Sequence, residues 1–189
     1  MKLTNLKVEF FLNHKNLLKG LNNSIYDIII KNNLLYIPDY KNNKLVIYNY
    51  LKKIIEKEIP IKSPHSIILD KNKFIIATYR NKKLYEFHKF NISKIFSTKY
   101  FFNPISIAKS SKNILIINWT NTHKKQLLLF DLKFNYLKRI ILNQKYLSPH
   151  YVIFNSNFFY IVNHNIKNPK IFFLNSNGIF IDEITNKYI

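Results

Sequence analysis

Short apolar runs separated by polar turns recur along the chain in four similar segments. The segments cover residues 24–40, 63–79, 103–119 and 148–164, and they align with one another without a gap. Each begins with a small or polar residue, continues with a short apolar run, passes through a polar turn such as Lys31-Asn32-Asn33, and ends with a second apolar run. This pattern predicts a β-hairpin at the start of each repeat.

Two further strand-like runs follow each hairpin, for example Lys44 to Tyr48 and Lys53 to Glu58, or Gln126 to Phe130 and Tyr136 to Leu142. The runs are rich in Ile, Phe and Tyr and have no sustained 3.6-residue period, which argues against helices. We therefore predict an all-β fold, a propeller-like array of four four-stranded antiparallel blades. A β-sandwich is the alternative, but it would not require the same four-strand pattern to recur in register.

The repeat boundaries predict a single domain over residues 1–189, with repeats at 24–62, 63–102, 103–147 and 148–184. Residues 1–21 are expected to form an N-terminal partial blade or closure strands. Because only residues 185–189 follow the fourth repeat, we expect an incomplete propeller. Closure of a small ring of four or five blades by residues 1–21, or pairing of open edges with another subunit as a homo-oligomer, are the alternatives.

The composition excludes several classes of chemistry. The chain contains no Cys, which removes disulfides, thiolate nucleophiles, Cys-containing zinc sites and iron–sulfur clusters. With two Gly it has no P-loop or dinucleotide fingerprint, and neither a Gly-x-Ser-x-Gly nor a His-Glu-x-x-His motif occurs. No apolar stretch approaches the ~18 residues of a membrane span, and the N-terminus has no apolar core of signal-peptide length. A cytoplasmic protein is expected.

The formal net charge of +20 is carried almost entirely by lysine, since Arg80 and Arg139 are the two arginines among 30 basic residues. Specific recognition of phosphates and base edges makes heavy use of arginine. The charge therefore predicts weak binding of polyanions at low salt.

The segments Leu34 to Tyr48 and Ser63-Pro64-His65-Ser66-Ile67 carry the clearest repeat motif, a Pro, a short strand, a polar turn and a Val-Ile-Tyr-like strand. This motif resembles the NHL-type repeat of six-bladed β-propellers, and the resemblance covers residues 24–184. It implies a propeller whose functional surface lies at one end of the central channel.

Three columns of repeat-equivalent positions are expected at that channel mouth, because the start of the first strand and the end of the second form one end of a hairpin. The first column, at the strand start, contains Tyr26, His65, Ile105 and His150. The second, at the end of the second strand, contains Asp39, Thr78, Asn118 and Asn163. The third, directly after it, contains Tyr40, Tyr79, Trp119 and His164, with Arg80 beside Tyr79. The second and third columns and Arg80 are the predicted binding residues.

His65 and His150 both follow Ser-Pro at the same repeat position. The resemblance extends to lyases of the six-bladed class, in which a Pro-His at the start of an inner strand supplies catalytic or metal-binding histidines. It implies that His65 and His150 are candidate catalytic residues and, with His164, candidate ligands of one divalent metal. The alternative is a structural repeat consensus in which each imidazole bonds to a neighbouring backbone.

The function predicted from these features is a non-enzymatic binding or scaffold module without a cofactor, which presents its channel mouth to a protein, peptide or polyanionic partner. A His-dependent lyase or hydrolase, either without a metal or assisted by one, is the second hypothesis. A degenerate remnant without independent function is the third.

Overall fold

The computed structural model describes residues 25–120, 125–142, 148–163 and 169–185. All regular structure in these residues is β-strand. The partial blade expected at residues 1–21 lies outside them, as does His164. No helix in the described part is long and apolar enough to cross a membrane.

The described residues form sixteen strands, four in each repeat. The first repeat contains β1 (Ile29–Lys31), β2 (Leu34–Asp39), β3 (Lys44–Asn49) and β4 (Ile54–Pro60). The second contains β5 (Pro64–Asp70), β6 (Lys73–Thr78), β7 (Lys83–His88) and β8 (Asn91–Ser97). The third contains β9 (Asn103–Lys109), β10 (Asn113–Trp119), β11 (Lys125–Asp131) and β12 (Tyr136–Ile140). The fourth contains β13 (Pro149–Asn155), β14 (Phe158–Asn163), β15 (Lys170–Asn175) and β16 (Phe180–Thr185).

Each repeat folds into its own antiparallel meander, in which every strand pairs with its neighbours in sequence. The ladder between the third and fourth strands shifts register once in all four sheets, between Ile47 and Tyr48 in the first and between Phe173 and Leu174 in the last. A bulge of this kind increases the local twist of a sheet. The predicted all-β class and the four four-stranded blades are confirmed, and the segments Lys53 to Glu58 and Tyr136 to Leu142 fall on the outer strands β4 and β12.

The sheets pack face to face, so that their central strands are apolar on both sides. We call the face that packs on the following sheet the leading face, and the opposite one the trailing face. In the first sheet Tyr36 and Ile47 belong to the leading face and pack with Phe74 and Ile76 of the second. Two equivalent clusters join the second sheet to the third and the third to the fourth. Burial on both faces explains the nearly continuous apolar runs of β6 and β10.

Candidate functional site

A cavity of about 190 Å³ lies at the channel mouth, where the first and third columns meet. Its wall comes from all four repeats. The lining residues are Tyr26, Tyr40, His65, Tyr79, Ile105, Trp119 and His150. The structure thus brings together all four residues of the first column and three of the third, because hairpin geometry carries both columns to one end of each sheet.

The aromatic part of this wall is continuous. The ring centroids of Tyr40 and Tyr79 are 5.7 Å apart, those of Tyr79 and Trp119 are also 5.7 Å apart, and Trp119 meets the His150 ring edge-on at 5.7 Å. Such tilted and edge-to-face contacts are favoured between aromatic rings. Arg80 is exposed, and its guanidinium lies 5.1 Å from the centre of the Tyr79 ring. The site therefore combines an apolar aromatic wall with a cation beside it.

His65 is held in place by its neighbours on both sides. Its ring stacks on Tyr26 with centroids 4.1 Å apart, and its Nδ1 lies 2.6 Å from the carbonyl oxygen of Ile105, to which it donates. Burial lowers the pKa of His65 to about 4, and the charge of His150 adds to this, while the bond to Ile105 opposes it. The imidazole is therefore neutral at pH 7, with Nδ1 protonated.

His150 contacts a lysine that the sequence analysis did not select. Lys125, the first residue of β11, places Nζ 2.6 Å from His150 Nδ1 and 3.0 Å from Ser148 Oγ. The same amine lies 4.4 Å from the centre of the Trp119 ring. Lys125 and Trp119 are directly opposite each other in the ladder between β10 and β11, so their side chains share one face. Lys125 could have been identified from the sequence by pairing the first residue of each third strand with the third-column residue that faces it across the hairpin.

The side chains of the second column are buried and form hydrogen bonds with the backbone. Asp39, Thr78, Asn118 and Asn163 are all buried, with at most 3% of their surface exposed. Asn118 Oδ1 accepts from the backbone N–H groups of Phe102 and Asn103, and Thr78 Oγ1 donates to the carbonyl of Lys83. These side chains fix the loops that lead into and out of the hairpins. None of them lines the cavity, and a role for them in binding stays a prediction.

The described side chains do not make up a metal site. His65 and His150 line one cavity, but no group of three or more His, Asp or Glu in the described residues could hold a metal ion. The Lys125 amine next to His150 also disfavours a cation there. His164, the third ligand suggested by the sequence, lies outside the described residues.

Deeper in the channel, Asp27 links three repeats. Its carboxylate accepts hydrogen bonds from Ser66 Oγ at 2.9 Å, from the backbone N–H of Ile67 at 3.1 Å, and from the Tyr151 hydroxyl at 3.1 Å. Burial, followed by the charge of Asp27, raises the pKa of Tyr151. Asp27 lines a second cavity of about 480 Å³ between the inner strands. Through these hydrogen bonds Asp27 connects the first repeat to the second and the fourth.

Comparison with solved structures places the chain among β-propellers. Hydrazine synthase from Kuenenia stuttgartiensis superposes with a TM-score of 0.69 at 10% identity, over 86% of this chain and 49% of that one. The Pan2 WD40 domain from Neurospora crassa gives 0.65 at 12% identity, over 85% and 49%. BBS1N, in a complex with ARL6DN, gives 0.59 at 12% identity, over 84% and 52%. At these identities the likeness shows the fold alone.

The chain spans about half the length of the propellers that it matches. No protein-family model matches its sequence, and neither does any curated protein. The fold is thus a β-propeller fold, established by structure.

Proposed function

We propose that this protein is a non-enzymatic propeller module that binds a protein or peptide partner at its channel mouth, with one partner side chain inserted into the aromatic-walled cavity. The observation that carries the proposal is the convergence of aromatic side chains from successive repeats on one cavity. Partly exposed aromatic groups around a concave site supply large contact areas at interfaces.

The size of the cavity supports a side chain as its occupant. A volume of about 190 Å³ is below the roughly 300–1,000 Å³ that is usual for pockets of drug-sized ligands. Propellers with this fold include a protein solved in a complex with another protein, BBS1N with ARL6DN. The Pro-His motif at residues 64 and 65 matches the NHL-type repeat. We therefore include in the proposal that the blades are of the NHL type.

A selection from a random peptide library tests this proposal. Peptides enriched on the unmodified protein should bind Tyr40→Ala at least about fivefold more weakly, because interface aromatic residues commonly contribute more than about 1 kcal/mol. Trp119 is the single tryptophan of the chain and lies in the cavity wall, so its fluorescence reports binding directly. Tyr40 is outside the four buried clusters, and its removal should leave the fold intact.

The matched control is Ile95→Ala, which removes an exposed apolar side chain from the outer strand β8. This variant should bind the selected peptides as the unmodified protein does. Equal binding of the peptides to the Tyr40→Ala variant would place their site elsewhere and refute the proposal.

A further inference from the structure

Lys125 is a half-buried cation at the channel mouth. Its Nζ contacts Ser148 Oγ, His150 Nδ1 and the face of Trp119, none of which carries a negative charge. An ammonium group has three N–H donors, and the two hydrogen bonds use two of them. The charge is thus solvated by polar and aromatic groups, without a counterion among the described residues.

Other lysines of the sheets are paired differently. Lys44 lies 2.6 Å from Glu58, Lys73 lies 2.9 Å from Glu86, and Lys170 and Lys109 pair with Glu183 and Asp70. Each of these ion pairs joins neighbouring strands or sheets. Lys125 also extends from a sheet, yet it is directed to the cavity wall and forms no such pair in the described structure.

A half-buried charge without a counterion is unfavourable for the free protein. Burial lowers the pKa of Lys125 to about 8, so the amine is still mostly protonated at pH 7. An anion that approached this half-buried amine would be attracted more strongly than at an exposed lysine. The side chain is therefore better suited to binding than to stabilising the fold.

We propose that Lys125 binds a carboxylate of the partner, so that the occupant of the cavity is an aromatic side chain of a peptide with a carboxylate next to it. This inference rests on the proposed function and specifies its ligand. The aromatic wall of Tyr40, Tyr79 and Trp119 packs against the ring, and Lys125, whose amine lies over the Trp119 ring, donates to the carboxylate. The net charge of +20 favours the approach of an acidic segment.

Three acetylated tripeptides distinguish the possible sources of the carboxylate: Gly-Gly-Phe with a free C-terminus, the same peptide as its C-terminal amide, and Gly-Glu-Phe amide. Binding is followed by the fluorescence of Trp119 at pH 7. We expect at least one of the two acidic peptides to bind roughly five- to tenfold more tightly than Gly-Gly-Phe amide, which corresponds to about 1–1.4 kcal/mol. The acidic peptide that gains affinity identifies a C-terminal or a side-chain carboxylate.

Lys125→Gln should abolish this difference between the acidic peptides and Gly-Gly-Phe amide. Lys82→Gln, which removes a lysine charge from the loop that follows Arg80 and contacts Phe102, should preserve the difference. The melting temperature of Lys125→Gln should not fall, because the change removes a charge that burial disfavours.

The outcomes separate the two proposals. If the acidic peptides bind no better than the amide, or if Lys125→Gln retains the preference, the carboxylate inference is wrong and the peptide site stands. If no peptide of the three binds at millimolar concentration and library selection also fails at the cavity, both proposals are overturned.

Discussion

At the residue scale, His65 makes the stability of the protein dependent on pH. Its pKa is lowered from 6.5 to about 4, mainly by burial, so the unfolded chain binds more protons than the folded one between these values. The contribution of His65 to stability is therefore complete above pH 6.5 and is lost as the pH falls towards 4. At about 1.36 kcal/mol per unit of pKa, acidification should lower the free energy of unfolding by about 3 kcal/mol through this group.

The variant His65→Asn isolates this effect. The amide of Asn keeps a donor at the position of Nδ1, within reach of the Ile105 carbonyl, but it does not titrate. Denaturant unfolding at pH 7 and pH 4.5 should show a smaller loss on acidification for His65→Asn than for the unmodified protein. An identical loss in both proteins would mean that His65 is not the titrating group.

At the scale of the structural element, Asn118 fixes the entry into the third sheet. Its buried amide accepts from the N–H groups of Phe102 and Asn103 at 2.8 and 3.1 Å and donates to the carbonyl of Tyr100 at 3.2 Å. Asn163 occupies the same position in the fourth sheet and accepts from the backbone N–H of Ser148. Asn118→Ala should therefore lower the free energy of unfolding by about 3 kcal/mol, because it leaves buried donors unsatisfied.

Thermal or urea unfolding measures this change. The control Asn157→Ala replaces an exposed asparagine of the turn between β13 and β14 and should alter stability by less than about 0.5 kcal/mol. If Asn118→Ala were as stable as the control, the second column would not stabilise the fold, and the prediction that its residues bind the partner would be favoured.

At the scale of the whole molecule, the leading face of the fourth sheet differs from the other three. Tyr36, Ile75 and Leu115 are buried on the first three leading faces, and Pro38, Ala77 and Ile117 are buried beside them. At the equivalent positions of the fourth sheet Tyr160 is partly exposed and Val162 is 39% exposed. This face keeps the apolar residues of an inter-blade interface, with Ile171 and Phe173 from β15, but remains accessible.

We expect the purified protein to self-associate through this face, because a contiguous apolar patch of this kind favours association. Sedimentation velocity should show an average mass that rises with concentration, and Val162→Gln should weaken the rise. Leu137→Gln, which removes a similarly exposed apolar side chain from β12, should not. A protein that stays monomeric up to high concentration would contradict this expectation.

The strands and their number could be predicted from the sequence because they depend on local properties. Alternating apolar runs and polar turns specify hairpins, and repetition in register specifies equal sheets. The scarcity of glycine did not prevent this: Asn32, Lys71 and Ser156 hold the same turn position with φ of 54°, 55° and 56°, a conformation that glycine would adopt more easily. The location of the first and third columns also followed from the sequence, since strand direction alone brings their positions to one end of a sheet.

The tertiary structure decided the properties that depend on contacts between distant residues. The hydrogen bonds of the buried Asn118, the neutral state of His65 and the placement of Lys125 against His150 arise from neighbours about 15 to 40 residues away. Asp27 meets Tyr151 across 124 residues. Residue type and spacing do not encode which polar group is desolvated or which charge has a counterion, because both depend on the packing of one blade against another. The sequence by itself therefore determined the blades and the position of the mouth, and only their assembly decided the chemistry within it.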